Sequence, residues 1–169
     1  MTALSSVLKV RCSVCCEKKY DLNREKQIAA IQRINKSIGW AHYNWAILTS
    51  VGTKDLRFAV LDGEICGYVL VRTWRLTNDA YVPFIAVEAS KQRHKIGSAL
   101  MNRLFEKATK HKLKEVSLDF RAKLVCFYTG LPPSHRLEKE GHGTYSNGDV
   151  RYHIRYSLSD SPDDSKHQK

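Results

Sequence analysis

The sequence predicts one domain of the α/β or α+β class, in which helices pack on a sheet. Two observations carry this prediction. Apolar residues recur at helical spacing in two long segments, at about 22–38 and 96–110. Elsewhere they alternate or cluster in short runs bounded by turn residues, which is typical of strands. A chain of 169 residues is long enough to bury a substantial core.

The first half of the chain is predicted to contain a strand, one or two helices and a hairpin. In chain order these are a strand at Val7–Arg11, an amphipathic helix at Leu22–Ile38, a short helix or structured loop at Trp40–Ser50, and strands at Leu56–Leu61 and Glu64–Arg72. Asp21 or Asn23 is suited to cap the helix, and Gly39 to end it. Asp62-Gly63 between the two later strands is the strongest short-range hairpin signal.

The second half is predicted to alternate strands and helices and to end in a hairpin. In order these are a strand at Tyr81–Val87, a helix that runs to about Lys110, a strand with Val116, Leu118 and Phe120 on one face, a short helix at Ala122–Thr129, and a strand at Val150–Leu158. Asn147-Gly148 is the predicted turn before this last strand, which has one apolar and one basic face. We therefore expect one domain over residues 1–158 and disorder in the polar tail 159–169.

The composition indicates which classes of partner and which cellular compartment to expect. Lys and Arg number 28 against 17 Asp and Glu, a formal net charge of +11 that favours anionic partners such as RNA or an acidic protein. No apolar run reaches the length of a membrane span, and we expect neither a membrane nor a signal peptide. An odd count of five cysteines favours a reducing, cytoplasmic setting.

The segment Gln92–Ala99 is the most informative part of the chain. It follows the predicted strand that ends at Val87 and opens directly into the second long helix, whose apolar face comprises Ile96, Leu100, Met101, Leu104, Phe105 and Ala108. A strand, a charged loop and a helix N-terminus in succession place free backbone N–H groups and the positive end of a helix dipole at one spot. The segment therefore predicts a site for an anion such as pyrophosphate.

Two motifs resemble those of the GNAT acetyltransferase superfamily. Gln92-x-x-Lys95-x-Gly97, followed by Ser98-Ala99-Leu100, resembles its acetyl-CoA signature: Gln or Arg, two residues, Gly, one residue, then Gly or Ala. Lys95 departs from that pattern, because a side chain there does not permit the close backbone approach of a glycine. Phe127-Tyr128 before Gly130-Leu131 resembles the second motif, and the order of elements matches from about residue 7 to 158.

The resemblance implies a fold and a cosubstrate. The fold is a mixed, mostly antiparallel sheet of about seven strands with helices on both faces, and the cosubstrate is acetyl-CoA, with no metal. The backbone before the loop would hold the pantetheine and the acyl carbonyl, and the loop the pyrophosphate. The residues implied to contact acetyl-CoA are Phe84, Ile85, Ala86, Val87, Gln92, Arg93, His94, Lys95, Ile96, Gly97, Ser98 and Ala99, with Arg121 where the family often has an asparagine.

The resemblance implies one general acid and leaves the general base open. Tyr128 would protonate the CoA sulfur, and core packing is its alternative role. The glutamate that many relatives carry before the loop falls at Tyr81, a poor base at neutral pH. Asp79 lies two residues earlier on the same strand face and could act directly or through a water. Glu88 is expected to be exposed, so the remaining alternative is that solvent takes the proton of the amine.

Three further groups of residues carry weaker signals. Cys12, Cys15 and Cys16 form a C-x-x-C-C pattern, but a structural zinc site needs four ligands, so we predict no metal. The second group is made of histidines that are metal ligands, proton carriers or exposed polar residues: His135, His142 and His153. The third is made of aromatic residues that line an acceptor site or form a core cluster: Trp40, Tyr43 and Trp45.

The resemblance implies transfer of an acetyl group from acetyl-CoA to a primary amine by direct attack in a ternary complex. The acceptor would be a protein lysine, a protein N-terminus or a small amine, and the enzyme a monomer or homodimer. The net charge favours, as an alternative, an RNA-bound amine such as that of a charged tRNA. The departures at Lys95, at Arg121 and at Tyr81, where the usual glutamate is absent, favour another alternative, a CoA-binding protein without turnover. A nucleic-acid module that uses the basic face of Val150–Leu158 is a third.

Overall fold

The computed structural model describes residues 13–14, 23–74, 76–145 and 148–158. The predicted first strand at Val7–Arg11, the cysteine cluster at 12–16 and the tail from residue 159 lie outside the described residues. Among the residues that are described, no helix is long and apolar enough to cross a membrane.

The observed elements follow the predicted order. The strands are β1 (Ser13–Val14), β2 (Leu56–Leu61), β3 (Glu64–Trp74), β4 (Asp79–Val87), β5 (Glu115–Arg121), β6 (His135–Thr144) and β7 (Val150–Ser157). The helices are α1 (Arg24–Ser37), α2 (Asn44–Leu48), α3 (Ile96–Lys110) and α4 (Val125–Thr129), with short 3₁₀ turns at Ala41–Tyr43, Ala89–Lys91 and Ala122–Leu124. The undecided segment Trp40–Ser50 is therefore a 3₁₀ turn followed by a short helix.

The strands form one mixed sheet in the order β1-β2-β3-β4-β5-β7-β6. Strands β4 and β5 pair in parallel, whereas β1 with β2, β5 with β7, and β6 with β7 pair antiparallel. The predicted fold class, a mostly antiparallel sheet of seven strands with flanking helices, is confirmed.

Local signals in the sequence set the boundaries of the first helix and the first hairpin. The side chain of Asn23 caps α1 by accepting a hydrogen bond from the N–H of Lys26 at 2.9 Å. Gly39 follows the helix with a φ of +78°. Asp62 and Gly63 both have positive φ, at 52° and 84°, as a two-residue hairpin of type I′ requires.

The structure divides into two compact units. The first comprises Met1–Val69 and Ala86–Leu100. Its core is built from apolar residues of α1, α2, β2 and β3, namely Ala30, Ile31, Ile34, Ile47, Leu56, Phe58, Ala59, Val60, Ile65, Cys66, Tyr68 and Val69. The apolar face predicted for the first helix comprises Ile28, Ile31, Ile34 and Ile38; Ile31 and Ile34 are buried, whereas Ile28 and Ile38, nearer its ends, are half-buried.

One buried polar residue connects elements within the first unit. Asn35 of α1 is fully buried. Its carbonyl oxygen accepts a hydrogen bond from the Tyr68 hydroxyl at 2.5 Å, and its amide donates to Oδ1 of Asn44 at 2.8 Å. Because burial of an amide is costly unless it is hydrogen-bonded, this network fixes α1 against β3 and the start of α2.

The second unit comprises Leu70–Ile85 and Met101–Lys169. Its core lies on one face of β5 and β7, where residues at alternate positions are buried: Val116, Leu118, Phe120, Ile154 and Tyr156. The rings of Phe105 in α3 and Tyr128 in α4 pack on this face, 4.7 Å from Tyr156 and 4.5 Å from Phe120, respectively. The other face of β5 and β7 carries polar residues.

Candidate active site: an anion loop and a polar sheet face

Helix α1 fixes the start of the loop in the first unit. Nε of Arg33 lies 3.1 Å from a carboxylate oxygen of Glu88, and the hydroxyl oxygen of Ser37 accepts a hydrogen bond from the N–H of Ala89 at 3.1 Å. The N–H of Glu88 donates to the carbonyl of Cys66 at 2.9 Å. The expectation that Glu88 is exposed is wrong, since Arg33 holds its side chain at 17% exposure.

The loop itself contains two residues in the left-handed region of backbone space. Arg93 has a φ of +66° and Lys95 a φ of +60°. Between them, Nδ1 of His94 lies 2.8 Å from the carbonyl oxygen of Gln92. Left-handed backbone is what a glycine provides without strain. Lys95, which stands where the signature usually has a glycine, therefore adopts a backbone conformation that a glycine takes without strain.

The loop leads into the N-terminus of α3. The first intrahelical hydrogen bond joins the N–H of Ala99 to the carbonyl of Lys95 at 2.9 Å. The N–H groups of Ile96, Gly97 and Ser98 precede it and have no acceptor within the helix. Lys95, whose side chain is exposed, immediately precedes them, so three donors, the positive end of a helix dipole and a cationic residue occur in one short segment. These residues fit the pyrophosphate of a CoA molecule.

In the second unit, β4 and β5 pair over only part of their length. The register of the two described strands runs from Asp79 opposite Glu115 to Val82 opposite Leu118. Pro83 follows on β4, and it has no N–H to donate to a ladder. Beyond this point β5 continues to Arg121 in pairing with β7. The half-buried Phe84 and Ile85, both implied to contact acetyl-CoA, follow on β4 after the pairing has ended.

Three polar side chains are hydrogen-bonded to one another across β4, β5 and β7. The hydroxyl of Tyr81 donates to Oδ2 of Asp119 at 2.8 Å. Nδ1 of His153 lies 2.6 Å from Oδ1 of the same carboxylate. An ionised carboxylate only accepts hydrogen bonds, so Nδ1 carries the proton. His153 and Asp119 are directly opposite each other on β7 and β5, and their side chains are 13% and 20% exposed.

The network sets the protonation of its members. Burial opposes ionisation of Asp119, but hydrogen bonds from His153 and Tyr81 and the positive charges of His153 and Arg151 outweigh it and lower its pKa. Burial, the hydrogen bond to Asp119 and the negative charge of that carboxylate raise the pKa of Tyr81 far above its usual value. Asp119 is therefore a stable anion, and Tyr81 stays protonated at neutral pH, so it is not available to take a proton.

Tyr128 and Asp79, the other predicted catalytic residues, lie in different surroundings. Tyr128 is buried, its ring stacks at 4.5 Å on Phe120, and its carbonyl accepts a hydrogen bond from the Tyr156 hydroxyl at 2.7 Å. Burial raises its pKa, so its hydroxyl stays protonated. Asp79 is the first residue of β4 and half-buried, on the same strand face as Tyr81, as expected. The roles of Tyr128 as general acid and of Asp79 as general base remain predictions.

Arg121, predicted near the pantetheine, interacts with the loop before β7. Its Nη1 lies 3.4 Å from Oδ2 of Asp149, and its guanidinium lies 5.3 Å from the centre of the Tyr145 ring. These contacts balance part of its charge. The contact that the resemblance implies between Arg121 and the cosubstrate remains a prediction.

The sequence did not single out Asp119. Its one signal in the sequence is its position as a polar residue between Leu118 and Phe120. This position indicates that its side chain lies on the polar face of the strand, but not which residues it contacts. His153 was one of three histidines whose role, as metal ligand, proton carrier or exposed polar residue, the sequence left open. Among the aromatic residues with two open roles, Trp45 is 80% exposed and does not belong to a core cluster. Within the described ranges, no group of three His, Cys, Asp or Glu side chains is placed to hold a metal ion.

Comparison with known proteins agrees with the geometry. The model of the acetyltransferase (GNAT) family matches residues 20–128. No curated protein sequence matches significantly. Among solved structures, the ribosomal-protein-S18-alanine N-acetyltransferase of Escherichia coli superposes with a TM-score of 0.61 at 14% identity, over 89% of this chain and 95% of that one. Ard1 of Thermoplasma volcanium gives 0.62 at 17% identity, over 80% and 93%.

A third similar structure contains the cosubstrate without its acetyl group. The PaiA N-acetyltransferase of Thermoplasma acidophilum, in complex with coenzyme A, superposes with a TM-score of 0.55 at 12% identity, over 79% of this chain and 92% of that one. At these identities the likeness shows the fold, and the family match rests on the sequence.

Proposed function

Because this chain belongs to the GNAT acetyltransferase family, we propose that it transfers the acetyl group of acetyl-CoA to a primary amine. The family makes it an acyltransferase that uses acetyl-CoA. The observation that carries the finer proposal is the loop at Gln92–Lys95. Its left-handed residues lead directly into the free N–H groups of α3, and Lys95 adds a cation beside them.

The proposed roles of the site residues follow the two units. In the first, the N–H groups of Ile96–Ser98 and the side chain of Lys95 hold the pyrophosphate. In the second, the backbone of β4 after Val82 binds the pantetheine arm, because its hydrogen-bonding groups are not used by β5 there. Acetyl-CoA supplies an acetyl group activated as a thioester. Tyr128 donates a proton to the departing sulfur.

The conformation of Lys95 supports binding of CoA although a signature glycine is absent. The backbone at this position is left-handed, a conformation that a glycine takes without strain. The alternative of a CoA-binding protein without turnover differs from the proposal in acetyl transfer, so only an assay of transfer separates them. The net charge of +11 supports an acceptor amine carried by an anionic partner, with an RNA-bound amine as the second candidate.

An acceptor screen tests the proposal. The purified protein is incubated with acetyl-CoA and, separately, with lysine peptides, peptides with free N-termini, polyamines and aminoacyl-tRNA. Mass spectrometry measures acetylation, and a thiol reagent measures CoA release. We expect acetylation of one class with equal CoA release, and an RNA-borne acceptor would lose activity steeply with added salt. Binding of acetyl-CoA without acetylation of any class would contradict the proposal.

A further inference from the structure

Acetyl transfer needs a group that takes a proton from the acceptor amine, and the sequence left Asp79, the histidines and solvent as candidates. A primary amine of lysine type is protonated at neutral pH, and only the neutral amine attacks a carbonyl. The position of the family's usual carboxylate is occupied by Tyr81, whose hydroxyl donates to Asp119 instead of accepting a proton. The proton is therefore taken by Asp79, by another base in the site or by solvent.

Resting on the proposed function, we propose that His153 takes the proton from the acceptor amine, with Asp119 and Tyr81 as its positioning residues. Asp119 accepts the Nδ1 proton of His153 at 2.6 Å. In the neutral ring the lone pair is then on Nε2, as a proton acceptor requires. Tyr81 holds the second carboxylate oxygen at 2.8 Å, so the carboxylate cannot rotate away from the imidazole.

The position of the network in the second unit supports this role. Leu118 is the last residue of β5 that pairs with β4, and Asp119 is the next residue. The network therefore lies where the two strands cease to pair, next to the stretch of β4 backbone that we assign to the pantetheine arm. Tyr128 packs on Phe120, on the opposite face of β5. The proposed acid and base would therefore reach the thioester from opposite faces of the sheet, at the point where β4 and β5 cease to pair.

The proton balance is complete with these residues. The protonated amine gives one proton to Nε2 of His153 and keeps the electron pair, which forms the new N–C bond as the C–S bond of the thioester breaks. Tyr128 protonates the departing CoA sulfur, and the second proton lost by the nitrogen restores the Tyr128 hydroxyl. His153 then returns its proton to solvent. No oxidant, reductant or further reactant is needed.

Among the side chains that the structure describes, the charged groups facing His153 lie on β5, β6 and β7. Asp119 on β5 and Glu138, opposite His153 on β6, are acidic, and Tyr81 on β4 is neutral. Arg151 and Arg155 flank it on β7. The guanidinium of Arg155 lies within 3.7 Å of carboxylate oxygens of both Glu115 and Glu138, which balance its charge. Removal of the Asp119 carboxylate is therefore the change that should most affect protonation of the ring.

Nitrogen NMR of the free protein tests the arrangement without reference to activity. The protein is labelled with ¹⁵N-histidine and titrated from pH 5 to 9, and His153→Gln identifies its resonance. We expect the Nδ1–H tautomer in the neutral ring, and a titration midpoint that moves to lower pH in Asp119→Asn because the amide no longer stabilises the charged ring. An Nε2–H tautomer, or a midpoint unchanged in Asp119→Asn, would overturn the proposal.

Kinetics test the role in transfer. We expect His153→Gln to lower kcat/KM by about 100-fold near neutral pH and to remove the acidic limb of the pH profile, with acetyl-CoA affinity unchanged. Imidazole in solution should restore part of the activity of His153→Ala. His111→Gln, a matched change at an exposed histidine after α3, should alter neither kcat/KM nor the pH profile.

The outcomes separate the two proposals. If the wild-type protein transfers acetyl groups and His153→Gln keeps the same rate and pH profile, this inference fails and the proposed function stands. If the wild-type protein binds acetyl-CoA but acetylates no amine, the proposed function fails. The inference fails with it, whatever the NMR titration shows.

Discussion

Two substitutions of Lys95 separate the effect of its left-handed backbone on stability from the effect of its charge on binding. Lys95→Ala removes the charge and keeps a side chain at a φ of +60°, whereas Lys95→Gly removes both the charge and the strain. A left-handed conformation costs a non-glycine residue about 1–2 kcal/mol. The greater freedom of glycine in the unfolded chain offsets about 0.4–1 kcal/mol of this. The glycine variant should therefore be the more stable of the two by about 0.5–1 kcal/mol.

Thermal and urea unfolding measure this difference. For a chain of this length it corresponds to a Tm higher by about 1–4 °C in the glycine variant. Lys112 is the matched control, because it is also exposed and has a φ of +56° in the turn after α3. Lys112→Gly should exceed Lys112→Ala in stability by a similar margin. An alanine variant at position 95 as stable as its glycine counterpart would refute the argument from backbone strain.

Calorimetric titration of the same variants measures how much the charge of Lys95 contributes to acetyl-CoA binding. An exposed cation beside a phosphate is worth about 0.5–1 kcal/mol, so both changes at position 95 should weaken acetyl-CoA binding by about two- to fivefold. Both changes at Lys112 should leave it unaltered. If either variant at position 95 binds as tightly as the wild-type protein, Lys95 does not contact the phosphates.

Four further predictions concern single residues. Tyr128→Phe should lower kcat by about tenfold or more with unchanged acetyl-CoA affinity, measured by thiol release and calorimetry; equal turnover removes it from the mechanism. Gly67→Ala should lower the unfolding free energy by about 1–3 kcal/mol in urea, because a Cβ there meets the carbonyl oxygen of Ala86 at 2.9 Å; an unchanged midpoint contradicts this close approach. Asn35→Ala should cost about 2–3 kcal/mol in the same assay, since Tyr68 loses its buried partner; a loss below 0.5 kcal/mol, on the order of a surface change, would contradict it. Because folding lowers the pKa of Asp119, its carboxylate stabilises the fold above about pH 4, and this contribution is lost as the pH falls through the folded pKa. Asp119→Asn should therefore flatten the acid limb of a curve of unfolding free energy against pH. An unaltered acid limb would show that the lowered pKa does not contribute to stability.

The parts of the fold that sequence predicts are those set by local chemistry. The Asp62-Gly63 turn, the Asn23 cap and the alternation of Val116, Leu118 and Phe120 each depend on a few neighbouring residues, and each appears as expected. The segment Trp40–Ser50 remained undecided because its helix has only five residues, too few for a hydrophobic period to be recognised.

The site was only partly predictable, for a different reason. The anion loop is contiguous in sequence, so its motif was visible. The Tyr81–Asp119–His153 network joins residues 34 and 38 positions apart, and it depends on which strands become neighbours and in which register. Glu88 was expected to be exposed because its partner, Arg33, lies on a distant helix. Contacts of this kind follow from the assembled sheet rather than from local pattern.

Calorimetric titration with acetyl-CoA tests the central claim most directly, with Gly97→Glu as the site variant and Gln32→Glu as its control. Gly97 is the second residue of α3, so a carboxylate there meets the pyrophosphate with bulk and like charge. Gln32 is exposed on α1 and receives the same charge. We predict that the wild-type protein and Gln32→Glu bind acetyl-CoA alike and that Gly97→Glu binds about tenfold or more weakly. Equal binding by all three proteins, or none by the wild-type protein, would contradict the assignment of this loop.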